Sequence, residues 1–252
     1  MATSTDDERA AGDRVAGVRA AAVELDGVSR SFGSVAALDG VSLRVAPGEV
    51  VAVVGPSGCG KSTLLELVCA LQEPDAGAVR ADPAVLMPQR DLLLPWATAL
   101  DNAALAPRAA GMARDAARER ARPIFAELGL SGFEDARPHQ LSGGMRQRVA
   151  FARTLLAGKP VLCLDEPFGA LDAMTRADVQ AWLAGVLARE PRTVLLVTHD
   201  VEEAAVLADR IVVLSPRPGR VVAELAVGTP RPRAATDAAV VQTRRRALEA
   251  LR

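Results

Sequence analysis

The apolar run Val161-Leu-Cys-Leu164 ends in two adjacent carboxylates, Asp165 and Glu166, followed by Pro167. A short, fully apolar run reads as a buried parallel strand, and ligands gather at the carboxyl ends of such strands. Asp165 is placed there to hold a magnesium ion, and Glu166 to act as a general base on a water attacking phosphorus. Alone, an acidic pair of this kind would be an ordinary solvated turn. Upstream, however, Gly55-Pro-Ser-Gly-Cys-Gly-Lys61-Ser62 matches G-x-x-x-x-G-K-[ST] in full. Gly55, Gly58 and Gly60 allow a tight backbone close to phosphate oxygens, and loop and helix N–H groups point at the anion. Lys61 is expected to reach the β- and γ-phosphates and the Ser62 hydroxyl to bind magnesium. Lys61 and Lys159 are the chain's two lysines, so one of them stands where the motif requires it. The whole loop, with Pro56, Ser57, Cys59 and Thr63, is the candidate phosphate cradle.

Two further side chains fit the same chemistry. His199 closes the apolar run Thr193-Val-Leu-Leu-Val-Thr198, at the end of the next expected strand after Glu166, a location that favours contact with the γ-phosphate and the attacking water. Gln89, in Val85-Leu-Met-Pro-Gln89, is a candidate ligand for the magnesium and the attacking water. The other histidine, His139, has no assignable role.

These side chains need a frame, and the flanking sequence supplies one. Glu49–Val54 reads as the strand before the cradle, and Ser62–Leu71 as the helix after it. Apolar alternation in Ala21–Leu43 reads as an antiparallel β layer. Residues 91–157 read as largely helical, with Arg114–Leu128 and Met145–Leu156 the strongest segments. Beyond Glu166 the pattern is helix 173–189, strand 193–197, helix 201–208, strand 210–214, a strand pair at 220–227 and a helical tail at 234–252. The fold class is therefore α/β, with a mostly parallel sheet core, an antiparallel β layer and a helical subdomain. Residues 1–20 are small and charged without periodicity and read as a disordered tail.

The 252 residues carry a net charge of −1 and can bury a full core. No basic stripe argues for nucleic acid. No apolar run reaches the ~20 residues that span a bilayer, and the acidic Met1–Ala20 segment lacks the apolar stretch of a signal peptide. Three cysteines, Cys59, Cys69 and Cys163, have no metal-ligand spacing and read as small packing residues.

Together with Leu141-Ser-Gly-Gly144, these motifs resemble those of the ATP-binding subunit of an ABC transporter, a P-loop NTPase cassette, over about Val23–Val222. The resemblance implies ATP and Mg²⁺ as ligands. It also implies a head-to-tail homodimer in which Ser142, Gly143 and Gly144 contact the γ-phosphate held by the other subunit. Phe168-Gly-Ala-Leu-Asp172 resembles the loop joining the two sites. Phe32 resembles the aromatic that stacks on adenine, with Phe where the family often has Tyr. Leu93-Leu-Pro-Trp96, Leu100-Asp-Asn102 and Ala208–Gly219 look like the nitrate/sulfonate/taurine importer group, which includes importers of thiamine pyrimidine precursors. Partners implied are integral-membrane permease subunits and, indirectly, a substrate-binding protein, with the chain peripheral on the inner face of the membrane. The alternative is a non-transport ABC ATPase acting on nucleic acid or the ribosome. The uninterrupted single cassette argues against it, as the intact Lys61, Asp165, Glu166 and His199 argue against an inactive ATP-binding regulator.

Overall fold

The computed structural model describes residues 21–251, so the N-terminal tail expected at 1–20 lies outside the described residues. Strands β1 (Val23–Phe32) and β2 (Val35–Val45) pair antiparallel, with Leu25 opposite Leu43 and Val23 opposite Val45. Strand β3 (Val50–Val54) is buried at every residue and runs into helix α1 (Lys61–Val68). Strand β4 (Ala76–Ala81) then completes the first sheet, in the order β2-β1-β4. Strand β5 (Ala84–Met87) opens the second sheet.

Four helices follow: α2 (Ala99–Ala103), α3 (Leu105–Ala109), α4 (Arg114–Glu127) and α5 (Gly143–Leu156). Strand β6 (Val161–Asp165), helix α6 (Ala173–Arg189), strand β7 (Thr193–Val197) and helix α7 (Val201–Leu207) return the chain to the core. Strands β8 (Arg210–Leu214) and β9 (Val221–Ala226) and helix α8 (Ala238–Ala250) complete it.

The second sheet has the order β5-β6-β7-β3-β8-β9, parallel except at the β8–β9 edge. β3, β6 and β7 are apolar throughout or nearly so, because both of their faces are covered. One core lies between this sheet and the helices, and includes Phe125, Phe151 and Phe168. The other lies between the two sheets and α1, and includes Leu25, Leu64 and Cys163. Parallel pairing brings the carboxyl ends of β3, β6 and β7 to one edge. The cradle, Asp165–Glu166 and His199 leave the sheet from that edge.

Two expectations are corrected, and one segment held no expectation. The segment after α1 contains two strands, β4 and β5, that the sequence pattern does not reveal. β4 is Ala- and Gly-rich with a mostly exposed surface, so it carries no alternation to read. The strand pair expected at 220–227 is a single strand, β9, whose partner is β8. Helix begins only at Ala99, so residues 91–98 reach the helical region as an irregular segment.

Candidate active site

The cradle folds tightly around its own lysine. Lys61 Nζ donates to the carbonyls of Gly55 at 2.8 Å and Pro56 at 3.0 Å, and the residue is buried. Gly60 has φ 100° and is strictly required: a Cβ there would lie 2.7 Å from the Ala37 carbonyl oxygen. Gly219 also approaches the cradle closely, since a Cβ on it would lie 2.1 Å from the Cys59 carbonyl oxygen. The Ser215–Gly219 turn is thereby pressed onto the loop. It is also held to β2 by the Gly219 N–H on Ala37 at 2.9 Å and the Asp39 N–H on Gly219 at 3.0 Å.

A cavity of about 490 Å³ opens beside the cradle. Its walls include Ser57, Gly58, Gly60, Lys61, Ser62 and Thr63 of the cradle, with Gln89, Asp165 and Glu166 opposite. Phe32 stands at the far side, exposed, with the Arg30 guanidinium 5.1 Å over its ring. Gly55, Pro56 and Cys59 shape the loop from behind and do not line the cavity. Val35, Ala37 and Arg217 do line it, and sequence reasoning missed them. Their signal was weak: the first two lie on an ordinary strand, and Arg217 arrives on a distant turn.

The carboxylates differ in setting. Burial pushes the Asp165 carboxyl above its ordinary range, the Ser62 hydroxyl hydrogen-bonded to it pulls the other way, and the Glu166 charge adds to the rise. Ser62, Gln89 and Asp165 offer a hydroxyl, an amide and a carboxylate, the oxygen donors magnesium prefers. A cation beside a buried carboxylate also relieves its desolvation, so the residues present fit magnesium bound with a nucleotide.

Glu166 sits at the centre of the cluster. Gln89 Nε2 donates to its Oε2 at 2.9 Å, and His199 Nδ1 lies 3.1 Å from its Oε1. Its backbone has φ 46°, the left-handed region that a non-glycine residue rarely adopts. The turn holds because the Glu166 N–H donates to Val197 at 2.8 Å and the Gly169 N–H to Glu166 at 3.1 Å. Such backbone strain clusters at working sites. His199 itself is exposed and reaches the site through Glu166 rather than as a wall of the cavity.

Ser142, Gly143 and Gly144 are elsewhere. Ser142 caps α5, its Oγ accepting the Met145 N–H at 3.2 Å, and none of the three lines the cavity. The helix they begin is nonetheless tied to the carboxylates, because Gln147 Nε2 donates to the Pro167 carbonyl at 3.2 Å.

A phosphate loop after β3, a buried aspartate and a Gln–Glu–His cluster on one parallel sheet, and a capped Leu-Ser-Gly-Gly helix define an ATPase cassette of the P-loop class. A family model described as "ABC transporter" matches residues 38–169. The chain is 44% identical over 236 residues to the aliphatic sulfonates import ATP-binding protein of Rhodococcus jostii (strain RHA1), covering 91% of this chain and 93% of that one. It is 48% identical over 199 residues to the taurine import ATP-binding protein of Chromobacterium violaceum, covering 75% and 76%. Among solved structures, a dimeric bacterial ABC transporter cassette superposes with a TM-score of 0.75 at 31% identity, over 82% of this chain and 99% of that one. A dimeric post-hydrolysis cassette bound to ADP and Pi gives 0.74 at 31% identity, with the same coverage. The chain belongs to the ABC transporter family, as one of its ATP-hydrolysing cassettes, and binds ATP with Mg²⁺.

Proposed function

We propose that the chain is the energy-coupling subunit of an importer for a small organic sulfonate, of the taurine or alkanesulfonate kind. The cargo reading is supported by the relatives, which are named for import of those solutes at 44% and 48% identity. The observation that carries the chemistry is Glu166 held between Gln89 at 2.9 Å and His199 at 3.1 Å, across the cavity from Lys61 and Ser62.

ATP seats its phosphates in the cradle, with Lys61 and the loop N–H groups on the β- and γ-phosphates and Phe32 against the base. Ser62, Gln89 and Asp165 hold Mg²⁺, which supplies charge neutralisation to the phosphate oxygens. Glu166 accepts a proton from the attacking water, and His199 and Gln89 fix that carboxylate in place. Catalysis is positioning plus electrostatic stabilisation of the transferring phosphoryl group.

Two copies close head to tail, each presenting Ser142, Gly143 and Gly144 to the γ-phosphate in the other. Membrane attachment comes from permease subunits, since no helix among the described residues is long and apolar enough to cross a membrane. The chain works at the inner face of the membrane, with a substrate-binding protein acting on the far side.

The test is co-purification with a candidate permease from the same organism, followed by ATP hydrolysis in proteoliposomes loaded with binding protein. Hydrolysis stimulated by taurine or an alkanesulfonate and indifferent to nitrate supports the cargo. Stimulation by nitrate or a pyrimidine instead overturns it.

A further inference from the structure

Behind the His199 loop, α6, α7 and the Pro232–Ala235 segment enclose a second cavity of about 350 Å³. Arg176 of α6 and Glu203 of α7 both line it. Each leaves one buried atom without a hydrogen-bond partner, Arg176 Nε and Glu203 Oε1. Buried polar groups are normally paired, so two unpaired atoms of opposite character on one cavity need an explanation.

The rest of Arg176 bridges two loops. One terminal nitrogen donates to the Leu171 carbonyl at 3.1 Å, and the other lies 4.0 Å from Asp200 Oδ2. Leu171 belongs to the turn that follows Glu166 and ends at Asp172, the cap of α6. Asp200 follows His199 and caps α7, accepting the N–H groups of Glu202 at 2.9 Å and Glu203 at 3.2 Å. Its own N–H donates to Thr198 Oγ1 at 3.0 Å, and the Thr198 side chain is also hydrogen-bonded to Glu203. One guanidinium thus spans the two loops that carry the Glu166–His199 contact.

We propose that Arg176 is a positioning residue that holds the turn after Glu166 and the His199 loop in register, and that Glu203 is the group that draws it away. Burial pushes the Glu203 carboxyl up to about 8. The charges of Asp200 and, more weakly, Glu166 add to the rise, while Thr198 and Arg176 oppose it. The remaining charged neighbours are already engaged. Glu202 pairs with Arg244 at 2.8 Å. Arg233 donates to the Ala208 carbonyl at 2.6 Å and the Thr229 carbonyl at 2.7 Å, and lies 3.6 Å from Asp209.

While Glu203 is neutral, Arg176 stays on Leu171 and Asp200. Once ionised, Glu203 Oε1 attracts the free Arg176 Nε. The guanidinium then leaves the Leu171 carbonyl, and His199 loses its fixed place against Glu166.

This inference rests on the ATPase assignment, so phosphate release by the wild-type chain is measured first; its absence overturns that assignment. In active protein, kcat falls as pH rises through about 8 while KM for ATP holds level. Glu203→Gln cannot ionise and loses that fall, read as the ratio of kcat roughly one unit above to one unit below the transition. Arg176→Met lowers kcat roughly 10–100-fold with little change in KM, the mark of a misplaced catalytic group. Arg176→Lys, which keeps the charge, recovers part of the loss. An alkaline fall that persists in Glu203→Gln overturns the proposal. So does an Arg176→Met variant whose KM rises as its melting temperature drops, with no recovery in Arg176→Lys.

Discussion

The cradle and the Leu-Ser-Gly-Gly segment are both glycine-rich turns at the start of a helix, yet they are built in opposite ways. The cradle is closed on itself. Lys61 is bonded to its own loop, Gly60 and Gly219 press against backbone, and β3 behind it is fully buried. The Ser142 turn opens outward. Ser142 and Gly143 are exposed, and Gly144 rests against Leu171, where a Cβ would come within 3.2 Å of that side chain. A helix N-terminus attracts anions because its first N–H groups lack partners. In the cradle those groups adjoin a cavity that Asp165 and Glu166 also line; the Ser142 turn does not line that cavity. The cradle thus has its carboxylates within the same chain, whereas the Ser142 turn is left exposed, as the proposed head-to-tail pairing requires. The structures the chain superposes on are dimers.

The sharpest way to break this comparison is to disable the closed half alone. Glu166→Gln keeps the shape of the side chain but cannot accept a proton, so turnover should drop roughly 10²–10⁴-fold while ATP still binds. Steady-state phosphate release beside equilibrium nucleotide binding measures both. Wild-type turnover in the variant would remove Glu166 from the role of base.

Disabling the displayed half should leave the closed half untouched. In the Glu166→Gln background, ATP should drive dimer formation, because hydrolysis no longer opens the pair. Adding Ser142→Arg puts bulk and charge where the partner's phosphate would sit, and the ATP-dependent dimer should vanish. Light scattering with and without ATP reads the mass, and nucleotide binding to the monomer should persist. An ATP-induced dimer that survives Ser142→Arg would mean that the exposed turn does not meet the partner's nucleotide.

A smaller effect separates the two halves by stability. Asp101, buried at the start of α2, accepts from Arg114 at 2.6 Å and lies 3.3 Å from Arg118, clamping α2 to α4. Arg114 is the largest influence holding its carboxyl down, to about 2, with Thr98 and Arg118 adding to it against the cost of burial. A depressed carboxylate contributes stability above its unfolded value, near 3.8, and loses it as pH falls through about 2. Asp101→Asn should therefore cost roughly 2 kcal/mol near neutral pH and shrink toward no cost in strong acid. Chemical denaturation across pH measures this. Nucleotide affinity should hold, because the clamp lies in the helical region and away from the cavity.

How far the sequence carried these conclusions differs between the same two regions. The strands under the cradle were legible because both faces are covered, which leaves unbroken apolar runs such as Val161–Leu164 and Thr193–Val197. Gln89 and His199, singled out with Glu166 from the motifs, each lie within hydrogen-bond distance of its carboxylate. Arg217, Val35 and Ala37 were not legible as cavity walls, because only the approach of Gly219 to Cys59 brings that turn to the nucleotide side. The Arg233 clamp on the end of α7 depends on a return of the chain that no local pattern encodes. Glu203 reads as an ordinary acidic residue on a helix until packing buries it.

The irregular segment 91–98 lies between the two regions, and its apolar residues differ in setting. Leu93 is core, 8% exposed, whereas Leu92 and Trp96 stand out at 61% and 73%. The backbone of this segment is fastened to the Ser142 helix. Arg153 donates to the Asp91 carbonyl at 2.7 Å and the Leu92 carbonyl at 2.9 Å, and Arg146 to Asp91 Oδ2 at 3.0 Å. Asn102 holds the other end, accepting the Leu94 N–H at 2.7 Å. A segment so fastened, and only a residue beyond Gln89, would carry movement at the nucleotide to whatever sits on Trp96. We propose Trp96 as a docking residue for a short cytoplasmic helix of the permease, by apolar helix-in-groove contact. Because it is exposed, Trp96→Ala should change stability by less than about 0.5 kcal/mol and leave basal ATP hydrolysis in place. Capture of the permease and permease-stimulated hydrolysis should both fall. Leu93→Asp serves as the contrast, since a buried charge there should lower the melting temperature outright. If Trp96→Ala lost thermal stability to the same degree, the ring would belong to the core and the docking role would go with it.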